Sequence, residues 1–474
     1  MIAALAAAGI VVSVMQTVVV PIIPELPQLL HSSASDASWA ITATLLAGAV
    51  STPVMGRLGD MFGKRRMLLV SLGLMVVGSV LCALGSGLLP MVVGRALQGS
   101  AMGVIPLGIS IMRDELPAER LGSAMALMSS SLGVGGALGL PAAATIVQHA
   151  DWHVLFWVCA GLGLAVSLLV LRLVPESPDR SGGHFDLVGA VGLSVGLVCL
   201  LLAISKGGDW GWGSGSVLGL LAAAVVLLLV WGGWELRTAQ PLVDLRTTAR
   251  RQVLLTNLAS VLVGFAMYAQ ALIMPQLLQL PKATGYGLGL SMVTAGLLMA
   301  PSGLVMMLIS PFSARISAAR GPKVSLLLGI VVITAGYFLG LGLLHAAWQI
   351  LLVSCVIGAG IALAYSAIPA LIMGAVPHTE TAAANGLNTL MRSIGTSTSS
   401  AVVGVVLARM TQPLGPVQVP SLDGFRTSFL LAAAGGVLAL ALTAFVPGRR
   451  PAAPAPAATG GEAAPREAAP ATRD

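Results

Sequence analysis

The stretch GRLGDMFGKRR, residues 56–66, sets one acid, Asp60, among four bases, Arg57, Lys64, Arg65 and Arg66. An acid so placed can cap the start of a helix and pair with Arg57 or with a base on another helix end. The interleaved Gly56, Gly59 and Gly63 allow a tight turn and the close approach of helix ends. Two further charges stand inside otherwise apolar runs: Arg95 in PMVVGRALQGSAMGVIPLGI (residues 90–109) and Arg392 in NTLMRSIG (residues 388–395). Arginine inside a membrane helix costs about 2.5–3.5 kcal/mol on insertion scales, so it faces an interior or a wet cavity and has a partner. Gln98, three residues beyond Arg95, shares its helix face. These groups can hold charge, protons and polar solutes. Convergent nucleophile and base groups, as an enzyme would need, do not occur in the apolar runs, and no G-x-x-x-x-G-K-[ST] loop is present to bind ATP.

The elements that must position these residues are membrane helices. The chain has 474 residues, 56% hydrophobic and 9% charged, too few polar side chains to cover a soluble globule. A bilayer core roughly 30 Å thick needs about 20 apolar residues per helix. The apolar runs predict fourteen spans, at residues 3–25, 38–56, 67–87, 90–112, 121–147, 153–174, 187–205, 214–234, 253–279, 286–311, 323–344, 346–374, 382–407 and 427–446. The first run lacks a basic n-region and is read as a membrane helix, not a signal peptide. Its start at residue 3 implies a very short tail or a longer native amino terminus.

The net charge of +7 is distributed by topology. With the amino terminus inside, nineteen of the 25 Lys and Arg residues follow even-numbered spans or lie in the tail, and only Lys206, Lys282, Arg409 and Arg426 fall on the opposite face. By the positive-inside rule both termini are cytoplasmic, and the charge reads as orientation information, not as a nucleic-acid surface. Cys82, Cys159, Cys199 and Cys355 lie in apolar runs without metal or redox spacing, the six histidines near helix ends, so no metal and no cofactor is expected. Arg outnumbers Lys 21 to 4 and Ala and Gly abound, pointing to a GC-rich bacterial genome and a cell-membrane location.

The opening stretch has an echo. Residues 52–71 align with residues 310–329 at an offset of 258, matching Pro53 with Pro311, Arg57 with Arg315, Gly63 with Gly321 and Arg65 with Lys323, while Ala318 replaces Asp60. Both copies follow an even-numbered span. The repeat divides the chain into a six-helix bundle (1–174), a linker carrying inserted helices 7 and 8 (175–252), a second six-helix bundle (253–447) and a Pro/Ala-rich disordered tail (448–474).

GRLGDMFGKRR resembles the loop signature of the major facilitator superfamily, and the six-plus-two-plus-six plan resembles its fourteen-helix drug/proton antiporter branch. GRALQG (94–99), FDLVG (185–189), PLVDL (241–245) and NTLMRSIG (388–395) resemble segments of that branch. The resemblance implies an all-α polytopic membrane protein: two six-helix bundles of major facilitator type with two inserted helices. It implies a conformational latch of Gly56, Arg57, Gly59, Asp60, Gly63, Lys64 and Arg65 that closes the cytoplasmic side when the cavity opens outward. A positive-inside anchor with a tight turn is the simpler reading of the same residues.

The resemblance further implies that Arg95 answers protonation of a nearby acid. In the branch the first helix commonly carries an Asp two residues before a Thr; in SVMQTVVVPIIPELP (13–27) that place holds Met15. Glu25 is the nearest candidate for a proton partner, with an exposed cap as its other reading, Asp36 is a weaker one, and a purely structural Arg95, hydrogen-bonded to backbone carbonyls, is the alternative. GVGGALGLPAAAT (133–145) resembles the branch's antiporter segment through Gly135, Gly136, Gly139 and Pro141, although small-residue helix packing explains them equally.

The few polar interruptions, Gln16, Gln98, Asn257, Gln270, Gln276, Asn385, Asn388 and Arg392, with Tyr268, Met274 and Tyr365 nearby, predict a midplane cavity for amphipathic organic compounds. The expected activity is secondary active export of drugs, antibiotics or a natural product by proton antiport and alternating access, as a monomer in the bilayer. Export of an endogenous metabolite or amino acid on the same fold is the alternative, and a membrane sensor a more distant one.

Overall fold

A computed structural model describes residues 1–447 except 20, 21, 23, 24, 177–181, 183 and 416. The tail assigned to disorder lies outside the described residues. Fourteen helices carry the fold. They are α1 (Ile2–Thr17), α2 (Trp39–Phe62), α3 (Lys64–Leu84), α4 (Leu88–Glu115), α5 (Ala118–His149), α6 (His153–Leu173) and α7 (Leu187–Trp210). The second seven are α8 (Gly215–Glu235), α9 (Arg251–Gln279), α10 (Met292–Arg320), α11 (Pro322–Gly340), α12 (Ala347–Met373), α13 (Thr381–Arg409) and α14 (Leu422–Ala444).

Thirteen of these are long and apolar enough to cross a membrane; α1, with 16 residues, is shorter. Sequence patterning extended it to residue 25. The helix ends at Thr17, and the sequence places a proline, a residue that cannot donate to a helix ladder, four positions further on. A second departure from an all-helical chain is a hairpin between α13 and α14, where β1 (Thr411–Leu414) pairs antiparallel with β2 (Val417–Pro420).

The expected loop at residues 56–62 is instead the last two turns of α2, so only Gly63 turns the chain, at φ +113°, a conformation that L side chains avoid. The aligned Gly321 does the same between α10 and α11, at φ +88°. Pro53 and Pro311 likewise both lie within helices.

Buried apolar side chains form one cluster from α1 to α6 and another from α9 to α14. The two groups meet along two seams. At one, α10 runs along α5, with Gly303 against Gly133 and Gly296 against Pro141. At the other, α13 runs along α2: a Cβ on Gly56 would lie 2.6 Å from the carbonyl oxygen of Ala382, and one on Gly386 2.9 Å from that of Thr52. Helix α7 covers this second seam from outside, burying Leu193, Leu197 and Leu201 with Leu46 and Ala49 of α2 and Leu387 and Leu390 of α13. Near its end the buried Lys206 donates to Ser38 Oγ and lies 5.3 Å from the ring centroid of Trp39. Helix α8 buries few side chains and exposes Leu218, Val226, Leu229 and Val230, as a lipid-facing helix does.

The α5–α10 seam gives a direct test. A side chain at Gly303 would collide with the Gly133 carbonyl, whereas no atom lies within 4 Å of a Cβ placed on Gly136. Gly303→Val is expected to lower the thermal unfolding midpoint in detergent by several degrees, as overpacking of roughly 1–3 kcal/mol does. Gly136→Ala should leave it unchanged; equal midpoints for both variants would show that the seam is not backbone-tight.

Candidate functional site

Three polar groups sit within the apolar bundle. The first closes the basic face across the α2–α13 seam. The start of α13 leaves backbone N–H groups without partners in their own helix. Asp60 supplies the acceptors: its Oδ1 takes the N–H of Ala382 at 3.3 Å and its Oδ2 that of Ala383 at 2.9 Å. A carboxylate there also meets the positive end of the helix dipole. Lys64 Nζ stands 3.7 Å from Asp60, 2.6 Å from Asp114 Oδ2 and 3.3 Å from Thr381 Oγ1, and Asp60 and Lys64 are 1% and 0% exposed. A second strut runs from Arg113, which donates to the Val376 carbonyl at 3.4 Å.

The expected latch residues thus separate by role. Gly56, Asp60 and Lys64 meet at the seam; Gly59 faces Leu107 of α4. Arg65 instead ties α3 to the end of α6, its side chain donating to the Leu171 carbonyl and its backbone N–H to Glu176 at 3.2 Å. Arg57 forms no ion pair with Asp60. It lines a separate pocket of about 140 Å³ with Pro241, Asp244, Thr247 and Glu380, where burial and then the neighbouring Asp244 push the Glu380 carboxyl above its usual range.

The second group surrounds Arg95, 1% exposed. Its Nη1 donates to the Met15 carbonyl at 3.2 Å and to Gln98 Oε1 at 2.8 Å, and its Nε to the Ala40 carbonyl at 3.2 Å. Gln98 passes the chain on to Ser79 Oγ at 2.8 Å. No carboxylate takes part among the described residues. Glu25, expected as the proton partner, is exposed beside a short helix, and Asp36 bonds Ser33 at 2.7 Å. The physical reason lies in α1: ending at Thr17, it leaves the Met15 carbonyl outside its own ladder, at the negative end of a helix dipole, where a guanidinium is stabilised. Met15 answers Arg95 with its backbone.

The third group lines a small cavity between the two helix groups. It is lined by Ile105, Pro106 and Ile109 of α4, Ser129 of α5, Tyr365 and Pro369 of α12, and Asn385, Asn388, Thr389 and Arg392 of α13. Its free volume of about 10 Å³ holds one water molecule. The Arg392 guanidinium lies over the Tyr365 ring, 4.7 Å from its centroid, and bonds Thr389 Oγ1 at 3.4 Å. Asn388 donates to Asn257 Oδ1 at 2.9 Å and Ser260 Oγ at 2.7 Å, bracing α9 behind the wall.

Of the expected cavity residues, Asn388 and Arg392 line this space and Asn257 stands behind it. Gln98 belongs to the Arg95 group, and Gln270 ties α9 to α12 by donating to the Ser354 carbonyl at 3.2 Å. Tyr268 lies beside Ser400, and Gln16 is half-buried on α1 away from the lining. Of the antiporter-segment residues, Gly135 and Gly139 face Ser13 and Thr17 of α1, Pro141 faces Gly296, and Gly136 faces no close neighbour. Asn385 and Tyr365, also among the polar groups read from the sequence, line the cavity as well; sequence reasoning missed Ser129 and Thr389, and for the first the serine triplet at 129–131 in an apolar run was the available signal.

Comparison with known proteins agrees with this architecture. The sequence model of the family described as Major Facilitator Superfamily matches residues 5–400 and, in a second overlapping match, residues 256–473. A "Tetracenomycin C resistance and export protein" of Streptomyces glaucescens is 29% identical over 413 residues, spanning 85% of this chain and 74% of that protein. A "Multidrug export protein EmrB" of Haemophilus influenzae is 28% identical over 385 residues, 79% of this chain and 74% of its own, and "Multidrug resistance protein 3" of Bacillus subtilis 24% over 377 residues, 78% and 72%. Among solved structures, the human organic anion transporter MFSD10 (TETRAN) superposes with a TM-score of 0.66 at 14% identity, covering 93% of this chain and 98% of that one. The proton:xylose symporter XylE superposes with a TM-score of 0.64 at 14% identity, covering 94% and 95%. At that identity the superpositions carry the fold alone. The chain belongs to the major facilitator superfamily and is a multi-pass helical membrane protein.

The latch geometry sets an expectation. Removing one partner of a buried charged network leaves the other uncompensated, a loss of about 3–5 kcal/mol. On a cysteine-free background with a cysteine at Ala383, Asp60→Asn should speed labelling by a membrane-impermeant maleimide at least fivefold. Unchanged labelling would mean that Asp60 does not hold the basic face shut.

Proposed function

We propose that this member of the major facilitator superfamily is a secondary active exporter of hydrophobic or amphipathic organic compounds, drugs, antibiotics or a natural product, working by alternating access in the cell membrane. The observation that carries this reading is the polar-lined cavity between the two helix groups, shut off at the basic face by the Asp60 and Lys64 network. A cavity bounded by two helix groups can open to either side only if their seams part in turn. The network on one seam consists of hydrogen bonds that break and remake, so it suits a gate. Walls of Ile105, Ile109, Tyr365 and Pro369 accept apolar faces, and Ser129, Asn385 and Asn388 offer hydrogen bonds. The names of the relatives, export and resistance proteins for tetracenomycin C and multiple drugs, support the same class.

In this reading residues 1–174 and 253–447 are the moving halves, and α7 and α8 an inserted pair whose first helix braces the gated seam. The basic face is cytoplasmic, as the bias of Lys and Arg directs. The protein acts as a monomer and as a transporter, not an enzyme. Proton antiport, which the family resemblance suggests, finds its nearest buried acids in Asp60 and Asp114 on either side of Lys64.

The reading is tested with inverted membrane vesicles and a panel of dyes and antibiotics. Energised vesicles containing the protein should accumulate at least one panel member over vesicles without it. Arg95→Ala, which frees the Met15 and Ala40 carbonyls and the Gln98 chain, should cut that rate at least tenfold. A protein that moves none of the panel under any gradient is not such an exporter.

A further inference from the structure

Away from the helix ends, the charge set within the described membrane helices has one sign. Every carboxylate on a described membrane helix stands in that helix's first or last turn, from Asp60 near the end of α2 to Asp423 at the start of α14. The charged side chains set deeper within apolar helices include Arg95 and Arg392, and of these Arg392 lines the cavity. No acid is among the residues that line it. The Arg392 guanidinium rests on the Tyr365 ring, and its one hydrogen bond among the described residues, to Thr389 of its own helix at 3.4 Å, is long. It is therefore an arginine held flat, with donors to spare, at an apolar and aromatic wall.

A cation entering such a cavity meets a like charge in a medium that screens poorly and finds no counter-ion. A planar oxyanion meets a guanidinium whose fork of N–H donors matches it in two places. We propose, resting on the export reading above, that the cargo of this protein is an aromatic anion, a ring system bearing a carboxylate, phenolate or sulfonate. The oxyanion pairs with Arg392 and the ring lies against Tyr365, Ile105 and Pro369. The amides of Asn385 and Asn388 and the Ser129 hydroxyl then meet other oxygens of the same solute.

This assignment also gives Met15 a consequence. An exporter of cations works against a potential that is negative inside and must couple to something else, commonly a protonated carboxylate. An exported anion moves with that potential, which is equivalent to about a fiftyfold gradient per 100 mV for a single charge. No carboxylate beside Arg95 is then needed to load a proton, and the electrical gradient alone suffices.

The test uses the full-length protein in liposomes and three naphthalene dyes of matched size: a sulfonate, an uncharged sulfonamide and a trimethylammonium. A potassium diffusion potential is imposed with no pH gradient. The wild-type protein should move the sulfonate toward the positive side at least tenfold faster than the ammonium. Arg392→Gln should lower the ratio of sulfonate to sulfonamide rates at least tenfold, and Arg392→Lys, which keeps the charge without the fork, should restore that ratio in part. Equal or faster movement of the ammonium by the wild type overturns the inference and leaves export intact, as does an unchanged dye preference in a folded Arg392→Gln protein. Failure to move any of the three dyes or any member of the drug panel overturns the export reading, and this inference with it.

Discussion

Asp60 accepts two backbone N–H groups at the first turn of α13, and Arg95 donates to a backbone carbonyl left over at the last turn of α1. Both side chains are buried in a bilayer-sized apolar body where an unmatched charge would cost several kcal/mol. In each case the principal partner is the end of a helix belonging to another part of the bundle. A helix end carries about half an elementary charge spread over several groups that its own ladder cannot satisfy. Matching a side-chain charge to it resolves two unfavourable burials at once and fixes where the second helix must begin or end. The Arg95 bond ties α4 to the end of α1, and the Asp60 bonds tie α2 to the start of α13.

The two seams between the helix groups are built differently. The α2–α13 seam is polar at the basic face and is braced by α7, which packs on both of its helices. The α5–α10 seam relies on glycines opposed to glycine and proline. The internal repeat explains part of this: α10 carries Ala318 where α2 carries Asp60, so the second copy keeps the turn glycine and the helix proline but has no acid to offer. A seam of small residues can slide without breaking hydrogen bonds, whereas the polar one must exchange partners. In the proposed export cycle that difference makes the polar seam the gate.

Much was legible in the chain. Composition, the runs of apolar residues and the bias of Lys and Arg depend only on the solvent that each segment meets, so they specified a multi-pass helical membrane protein before any coordinates. Gly63 and Gly321 marked turns because only glycine tolerates their φ. The repeat between residues 52–71 and 310–329 aligned the turn glycines Gly63 and Gly321 and the helix prolines Pro53 and Pro311. Arg95 and Arg392 announced polar sites, since charge within an apolar run has to be matched somewhere.

What the sequence alone could not assign was the partner in each match. For Arg95 the sequence offered both an acid, Glu25, and backbone carbonyls, and held nothing that chose between them. The answer was the backbone oxygen of Met15, freed by the end of α1. Arg57 and Asp60 look like a pair in the written motif, yet helix α2 turns them to different neighbours, one to a pocket shared with Pro241, Asp244 and Glu380 and the other to the backbone of α13. The cavity gathers residues from α4, α5, α12 and α13, separated by up to some 290 positions, and excludes Gln16 and Gln270, which have the same polar character. Polarity within an apolar run is a property of the chain and can be read from it. Which polar groups share one space depends on how helices cross, and that is decided only when every side chain and every helix end is packed at once.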